Sequence, residues 1–386
     1  MTWKVAKRGQ VPPFIVMDVL RAANERAAAG HDVLHLEVGQ PSTGAPAKAI
    51  EAAREALDSQ VLGYTEALGI EPLRRRIAAS YADDYGVAVK PENVVVTTGS
   101  STAFLLAFIA AFEPGDRVGI ACPGYPAYRN ILAALDIDPM PVFVGPESRY
   151  LPTAEVMRRF EGKLDGLIVA SPSNPTGTML SKAELDELAD WCEQAGVRLI
   201  SDEIYHGITF EQAAATAADR KGVITVNSFS KYYSMTGWRL GWMVLPDDLL
   251  RAVECLAQNM FISAPSLSQV AAVAAFDCKD ELNGHVERYR RNRDILLAEL
   301  PKAGFDKLAP AEGAFYIYAD IGGLTNDSQA FCKRMLEETG VACTPGLDFD
   351  PHGGDRTMRF SYAGSTADIA EAARRLKDWA AKGYRL

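Results

Sequence analysis

Seven short stretches, Asn93–Thr97, Arg117–Ala121, Met140–Val144, Leu167–Ala170, Val197–Ser201, Val223–Val226 and Leu240–Leu245, are apolar with little alternation. Runs of this kind predict strands covered on both faces. Between them lie helical patterns. One begins after Pro123-Gly-Tyr125-Pro-Ala-Tyr128, and a second spans about Thr153 to Phe160. A third, Ser181–Ala195, opens on the capping box Ser181-Lys-Ala-Glu184. The stretch after Thr98-Gly99-Ser100-Ser101-Thr102 is almost wholly apolar to Phe112, which predicts a helix buried on all sides. Strands alternating with helices from about 93 to 245 predict an α/β fold with a mainly parallel, doubly covered sheet.

The flanks read differently. Residues 1–16 predict an extended arm, Met17–Ala29 a helix closed by Gly30, and Val33–Val38 a strand. The turn-rich loop Gly39–Gly44 follows, and then a helix opened by Pro46. Gly63–Gly69 is a loop holding Tyr64 between glycines, with a helix over Glu71–Tyr85. Beyond Leu245 the pattern is helical in pieces, broken near Ser263-Ala-Pro265, then a long charged helix over Glu281–Leu300. The remainder is shorter α+β, with strands at Gly313–Ala319 and Thr357–Tyr362 and a helix from about Ser328. These patterns divide the chain into a large domain, 46–280, and a small domain made of 1–45 with 281–386.

Composition narrows the function classes. The chain has 386 residues, 48% apolar and 23% charged, with a formal net charge of −10. Those values are ordinary for a globular protein, and the acidic balance argues against nucleic acid as a partner. No apolar run approaches the length of a membrane span, and Pro12-Pro13 interrupts the N-terminus where a signal peptide would need an apolar core. The expectation is a cytoplasmic protein. The six cysteines are scattered with no C-x-x-C pair, which predicts buried free thiols and no metal site. No G-x-G-x-x-G, P-loop or H-E-x-x-H occurs.

The candidate chemistry centres on Asn227-Ser-Phe-Ser-Lys231-Tyr-Tyr-Ser-Met-Thr-Gly-Trp-Arg239-Leu-Gly-Trp242, a polar loop between two buried strands. A desolvated lysine is pushed toward its neutral form, and neutral amines form imines with aldehydes. Serine hydroxyls and a guanidinium suit a phosphate dianion. The same loop also fits a solvated lysine. Gly99-Ser100-Ser101 at a helix N-terminus is a second anion site in waiting, although serine caps many ordinary helices. Asp202, at the C-terminal end of a parallel strand, fits a ligand site, a helix cap or a surface ion pair. Asn174 sits in the tight turn Ser171-Pro-Ser-Asn174-Pro175-Thr176-Gly177. Arg359 lies among apolar strand neighbours, so it needs either an internal carboxylate or a bound anion.

Asn174-Pro-Thr-Gly177, Asp202-Glu-Ile-Tyr205 and Ser228-Phe-Ser-Lys231…Gly237-Trp-Arg239-Leu-Gly241, in this order and spacing, resemble the class I/II aminotransferases of the pyridoxal-phosphate fold-type I superfamily. The resemblance runs from Gly39 to Arg359. It implies a large domain with a mainly parallel seven-stranded sheet covered by helices, a smaller α+β domain, and pyridoxal 5'-phosphate as cofactor. By the same resemblance Lys231 would hold the cofactor aldehyde as an imine and shuttle the substrate proton. Asp202 would pair with the pyridine nitrogen, and Tyr205 and Asn174 would bond the phenolic oxygen. Ser100, Ser101, Ser228, Ser230 and Arg239 would hold the phosphate. Tyr125 would stack on the ring, where many members have Trp. Arg359 would clamp the substrate carboxylate beside Gly39. Tyr64 would reach the phosphate of a neighbouring subunit, which requires a homodimer with shared active sites.

The implied reaction is ping-pong transfer of an amino group from an L-amino acid to a 2-oxo acid. A pocket for acidic side chains should show an added cation. None is assignable, because the helix running to Phe112 and the arm segment Pro12–Met17 are both apolar. The expectation is broad, neutral or aromatic specificity, with glutamate as a shared donor. A β-eliminating C–S lyase shares Lys231, Asp202, Asn174 and Arg359 and stays open as an alternative. A non-catalytic pyridoxal-phosphate-binding regulator is the distant one, since such proteins carry an added basic domain ahead of this fold.

Overall fold

The computed structural model describes residues 3–383, so the first two residues of the expected arm lie outside it. Seven strands form the central sheet: Val94–Thr97 (β1), Arg117–Cys122 (β2), Asp138–Phe143 (β3), Gly166–Ala170 (β4), Arg198–Asp202 (β5), Ile224–Ser228 (β6) and Gly241–Val244 (β7). Their spatial order is β1-β7-β6-β5-β4-β2-β3, and β7 alone runs antiparallel to its neighbours.

The lack of alternation in these strands has a direct cause. Leu167, Val169 and Leu199 turn one way and pack with Leu185 and Leu188 of the helix Lys182–Ala195. Ile168, Ile200 and Val226 turn the other way onto Phe104 and Phe108 of the helix Ser100–Ala111 and Val253 of the helix Asp247–Met260. Both faces are dry, so both sets are apolar. The helix Lys182–Ala195 carries the expected capping box and ends at Gly196, whose φ of +69° suits glycine.

The second sheet has four strands in the order 344–345, 357–361, 316–320, 307–308, all antiparallel. Beneath it a core gathers Phe305, Phe315, Ile317, Phe331, Met358, Phe360, Leu376 and Trp379 with Leu34 and Leu36, and Ile204, Ile208 and Phe210 join it from beyond β5. The α+β expectation for this part therefore holds.

Several bounds differ from those expected. The strand anticipated over Val33–Val38 is only Leu34–His35, a parallel pairing with Val341–Ala342, because Glu37 turns its backbone to other partners. The first helix begins earlier, at Ile15 rather than Met17, and the long charged helix is Lys279–Glu299. The expected arm contains a short 3-10 turn, Lys7–Gly9. All six cysteines are free and five are buried; Cys255 is half-exposed.

The helix Ser100–Ala111 holds the anion-type turn against the sheet, and Phe108 at its centre is fully buried. Phe108→Ala should lower the unfolding free energy by about 3–5 kcal/mol, read as a lower urea midpoint at unchanged slope.

Candidate active site

The C-terminal ends of β1, β2, β4, β5 and β6 all open at one edge of the sheet, and each leads into a loop carrying a candidate residue. This is the edge at which open α/β sheets place ligands. The structure brings together Gly39, Tyr125, Asn174, Asp202, Tyr205, Lys231 and Arg359.

Lys231 follows β6. Its Nζ donates to the Gly39 carbonyl at 2.7 Å and lies 5.6 Å from the Tyr205 ring centroid and 5.9 Å from that of Phe315. Burial and then the Arg359 cation push its pKa from the ordinary lysine value down to about 8, with Asp202 pulling the other way. The amine is held by a backbone carbonyl in a half-buried setting.

Asp202 ends β5 and is 3% exposed. One carboxylate oxygen accepts the Ile204 N–H at 3.0 Å and the other accepts the Tyr128 hydroxyl. It makes no ion pair among the described residues, so the surface alternative does not hold. Burial raises its pKa to about 6, against the two hydrogen bonds and the nearby lysine. A buried carboxylate so placed would be relieved by a cationic ring nitrogen.

Arg359 carries the strongest observation. It is 4% exposed, and among the described residues no carboxylate lies within ion-pair distance. Its guanidinium donates to Asn174 Oδ1 at 2.8 Å, to the Glu37 carbonyl and to Thr344 Oγ1 at 3.3 Å, while Nε has no partner. It lies 4.3 Å from the Tyr316 ring centroid and 4.7 Å from that of Phe349. The internal salt bridge considered from sequence is absent, so this buried cation is left for an anion from outside.

The phosphate-type residues form one cradle. Ser100 and Ser101 open the helix Ser100–Ala111 just after Gly99, whose φ is +76°. A Cβ at Gly99 would lie 2.5 Å from the Arg239 guanidinium, so Arg239 sits directly against this turn. A Cβ at Gly241 would lie 2.8 Å from the Ser100 nitrogen, which fixes β7 against the same turn. Ser228 donates to Ser230 at 3.0 Å beside them. Arg239 itself donates only to the Thr236 carbonyl, at 3.1 Å, and has no carboxylate partner among the described residues. Free helix N–H groups, hydroxyls and an unpaired guanidinium fit a phosphate dianion. With the aldehyde-reactive amine and the buried acid, they fit pyridoxal phosphate.

Tyr205 shares a hydrogen bond with the Tyr316 hydroxyl at 2.7 Å, and Asn174 Oδ1 accepts from Arg359, which leaves its amide NH2 free. Tyr64 is apart from the rest: it is 85% exposed, and its ring packs on none of the cores. Tyr125 lies at the rim, its ring 5.3 Å from that of Tyr128 and 5.8 Å from that of Phe14.

Sequence reasoning passed over Tyr128 and Tyr316. Tyr128 stands three residues past Tyr125 on the same helix face, so an i, i+3 reading could have found it. Tyr316 is legible only from register: Tyr318 pairs with Arg359, which places Tyr316 diagonally beside it. A Cβ at Gly39 would lie 1.7 Å from the Tyr316 hydroxyl, so glycine is required there by close approach.

Comparison with known proteins agrees with this geometry. The family model described as aminotransferase class I and II matches residues 31–376. The chain is 50% identical over 384 residues to valine–pyruvate aminotransferase of Mycobacterium tuberculosis, covering 98% of this chain and 99% of that one. It is 32% identical over 377 residues to an aspartate aminotransferase of Sulfurisphaera tokodaii, covering 95% and 94%. Among solved structures, an aminotransferase from Mycobacterium tuberculosis superposes with a TM-score of 0.96 at 49% identity, covering 99% and 100%. The Thermus thermophilus aspartate aminotransferase with maleate gives 0.91 at 31% identity, covering 98% and 100%.

The charge arrangement predicts a titration. In ligand-free protein, reductive labelling of Lys231 by a small aldehyde should rise with pH through a midpoint at about 8. Arg359→Gln removes a cation that disfavours the ammonium, so the midpoint should move up. Labelling of the Lys231 peptide across pH, read by mass spectrometry, checks both.

Proposed function

The chain belongs to the class I and II aminotransferases, and from that premise we propose that it moves the amino group of a neutral L-amino acid, valine foremost, to pyruvate. The observation that carries the reaction class is the buried Arg359 with no carboxylate of its own, facing the site that holds Lys231 and Asp202. Neutral specificity is supported by the apolar arm at the rim, where Phe14 meets Tyr125, and by the valine–pyruvate name of the 50%-identical relative.

Pyridoxal phosphate, the cofactor of this family, supplies the electron sink that acidifies the substrate Cα–H. The residues of this chain supply the rest. Arg359 clamps the α-carboxylate through its guanidinium edge, with Gly39 leaving room beside it. Asn174 orients both the clamp and the cofactor's phenolic oxygen, and Tyr205 donates to that same oxygen. Asp202 keeps the ring nitrogen protonated, and Tyr128 holds Asp202 in place. Lys231, whose amine burial and the Arg359 cation bring nearer its neutral form, would take the proton from Cα and return it at C4′. Ser100, Ser101, Ser228, Ser230 and Arg239 bind the phosphate, and Tyr125 covers the ring.

Tyr64 completes the cradle of a second copy. Its exposure, beside exposed Val61, supports a homodimer with shared sites. The core beneath the four-stranded sheet, built mostly from residues of 1–45 and 281–386, supports the division into 46–280 and 1–45 with 281–386. Free cysteines throughout support a cytoplasmic setting, and no helix among the described residues is long and apolar enough to cross a membrane.

A panel of L-amino acids assayed with pyruvate, reading alanine, tests the proposal. Valine and other neutral donors should exceed aspartate in kcat/KM. Turnover of aspartate and glutamate alone would overturn the neutral reading. Pyruvate and ammonia from cystathionine without an acceptor would favour the lyase instead. Arg359→Ala should lower kcat/KM for the best donor about 100-fold, equivalent to about 3 kcal/mol.

A further inference from the structure

The N-terminal helix Ile15–Ala28 is held at its start by a residue from the far end of the chain. Phe14, its N-cap, offers no side-chain cap, and Asp18 in the first turn is engaged with Arg21. The free N–H groups of Ile15 and Val16 instead donate to the two carboxylate oxygens of Asp348, at 2.9 and 3.2 Å. Asp348 is 2% exposed, so this is a buried charge placed on a helix N-terminus.

The rest of the helix is only partly buried, with Val19 packing against the small cluster around Ala23. Ala23 is its one fully buried side chain, packed with Leu336 and Ala342. Ahead of it, Asn130 Nδ2 donates to the Pro12 carbonyl at 3.3 Å. The Asp348 loop, in contrast, is tied firmly to the site. Arg129 donates to the Asp348 carbonyl at 3.4 Å, and the Gly124 N–H donates to the Phe349 carbonyl at 3.1 Å. The Phe349 ring lies against Arg359. One short loop thus joins the carboxylate clamp, the Tyr125 loop and the N-terminal helix.

We infer that Asp348 is a positioning residue that latches the N-terminal helix so that Phe14 covers Tyr125 at the rim of the site. The latch places an apolar wall at the mouth that the substrate side chain must pass. The Asp348 carboxylate bonds the Ile15 and Val16 N–H groups and acts through them and Phe14. The inference rests on the site assignment given under the proposed function, and not on which donor is preferred. The donor panel tests preference separately. The latch is read on whichever donor that panel returns, so failure of one leaves the other standing.

Asp348→Asn, Asp348→Ala, Phe14→Ala and the Phe14→Ala/Asp348→Ala double variant, each as holoenzyme, test it. Asp348→Ala should raise the KM of the best donor about tenfold or more, with kcat and cofactor content within about twofold of the parent. Asp348→Asn keeps one acceptor oxygen and should fall between. Phe14→Ala should reproduce the KM rise, and the double variant should add little to either single one. Hydrogen exchange at residues 15–18 should quicken in both Asp348 variants. Unchanged KM in Asp348→Asn and Phe14→Ala would overturn the inference, as would full additivity in the double variant. If Asp348→Ala does not fold, the Asn and Phe14 variants still decide.

Discussion

A guanidinium buried without a carboxylate is the constraint on which the rest of this site depends. Arg359 could be neutralised cheaply by an aspartate on a neighbouring strand, and it is not. Its partners are all neutral: an amide oxygen, a backbone carbonyl and a hydroxyl. These satisfy the N–H groups without cancelling the charge, so the positive field persists where the substrate's carboxylate must arrive. Two aromatic faces, Tyr316 and Phe349, take up part of the electrostatic burden. The backbone of Glu37 turns away from the short parallel pairing at Leu34–His35 to serve it, which is why that strand is so brief.

Burial first, and then the same field, sets the chemistry of Lys231. With burial it takes the amine to about 8, while burial takes Asp202 to about 6. For the lysine the folded value lies below the unfolded one, so stability rises with pH between about 8 and the ordinary lysine value. For the aspartate the folded value lies above, so stability falls as pH rises through the interval that ends near 6. Near neutrality both groups carry the less favoured charge. The fold tolerates this because the cores on both sheet faces and beneath the small sheet are dry and closely packed.

Much of this was legible in the residues. Strand positions followed from unbroken apolar runs, and the helix Lys182–Ala195 from its capping box. Lys231, Asp202, Asn174 and Arg359 stood out because a charge or amide in an apolar or rigid setting needs a reason. Tyr316 and Asp348 did not stand out, for a common physical cause. Their roles come from pairing across the small sheet and across 333 residues of chain, which local pattern does not encode. Tyr128 lay between these cases, with a helical spacing that pointed at Tyr125 but not at the strand end it serves.

Gly39 shows how tightly the parts are coupled. Its carbonyl accepts from Lys231, and the space where a side chain would stand is filled by the Tyr316 hydroxyl. That hydroxyl in turn bonds Tyr205, and the Tyr316 ring lies over Arg359. A change at any of these five residues bears on a partner of another, because Gly39, Lys231, Tyr205 and Tyr316 contact one another in turn and Arg359 lies against Tyr316. Positioning to within an ångström decides rates in such sites. The requirement for glycine at position 39 therefore arises less from backbone conformation than from the clamp, the amine and the tyrosine pair having to occupy one small volume together.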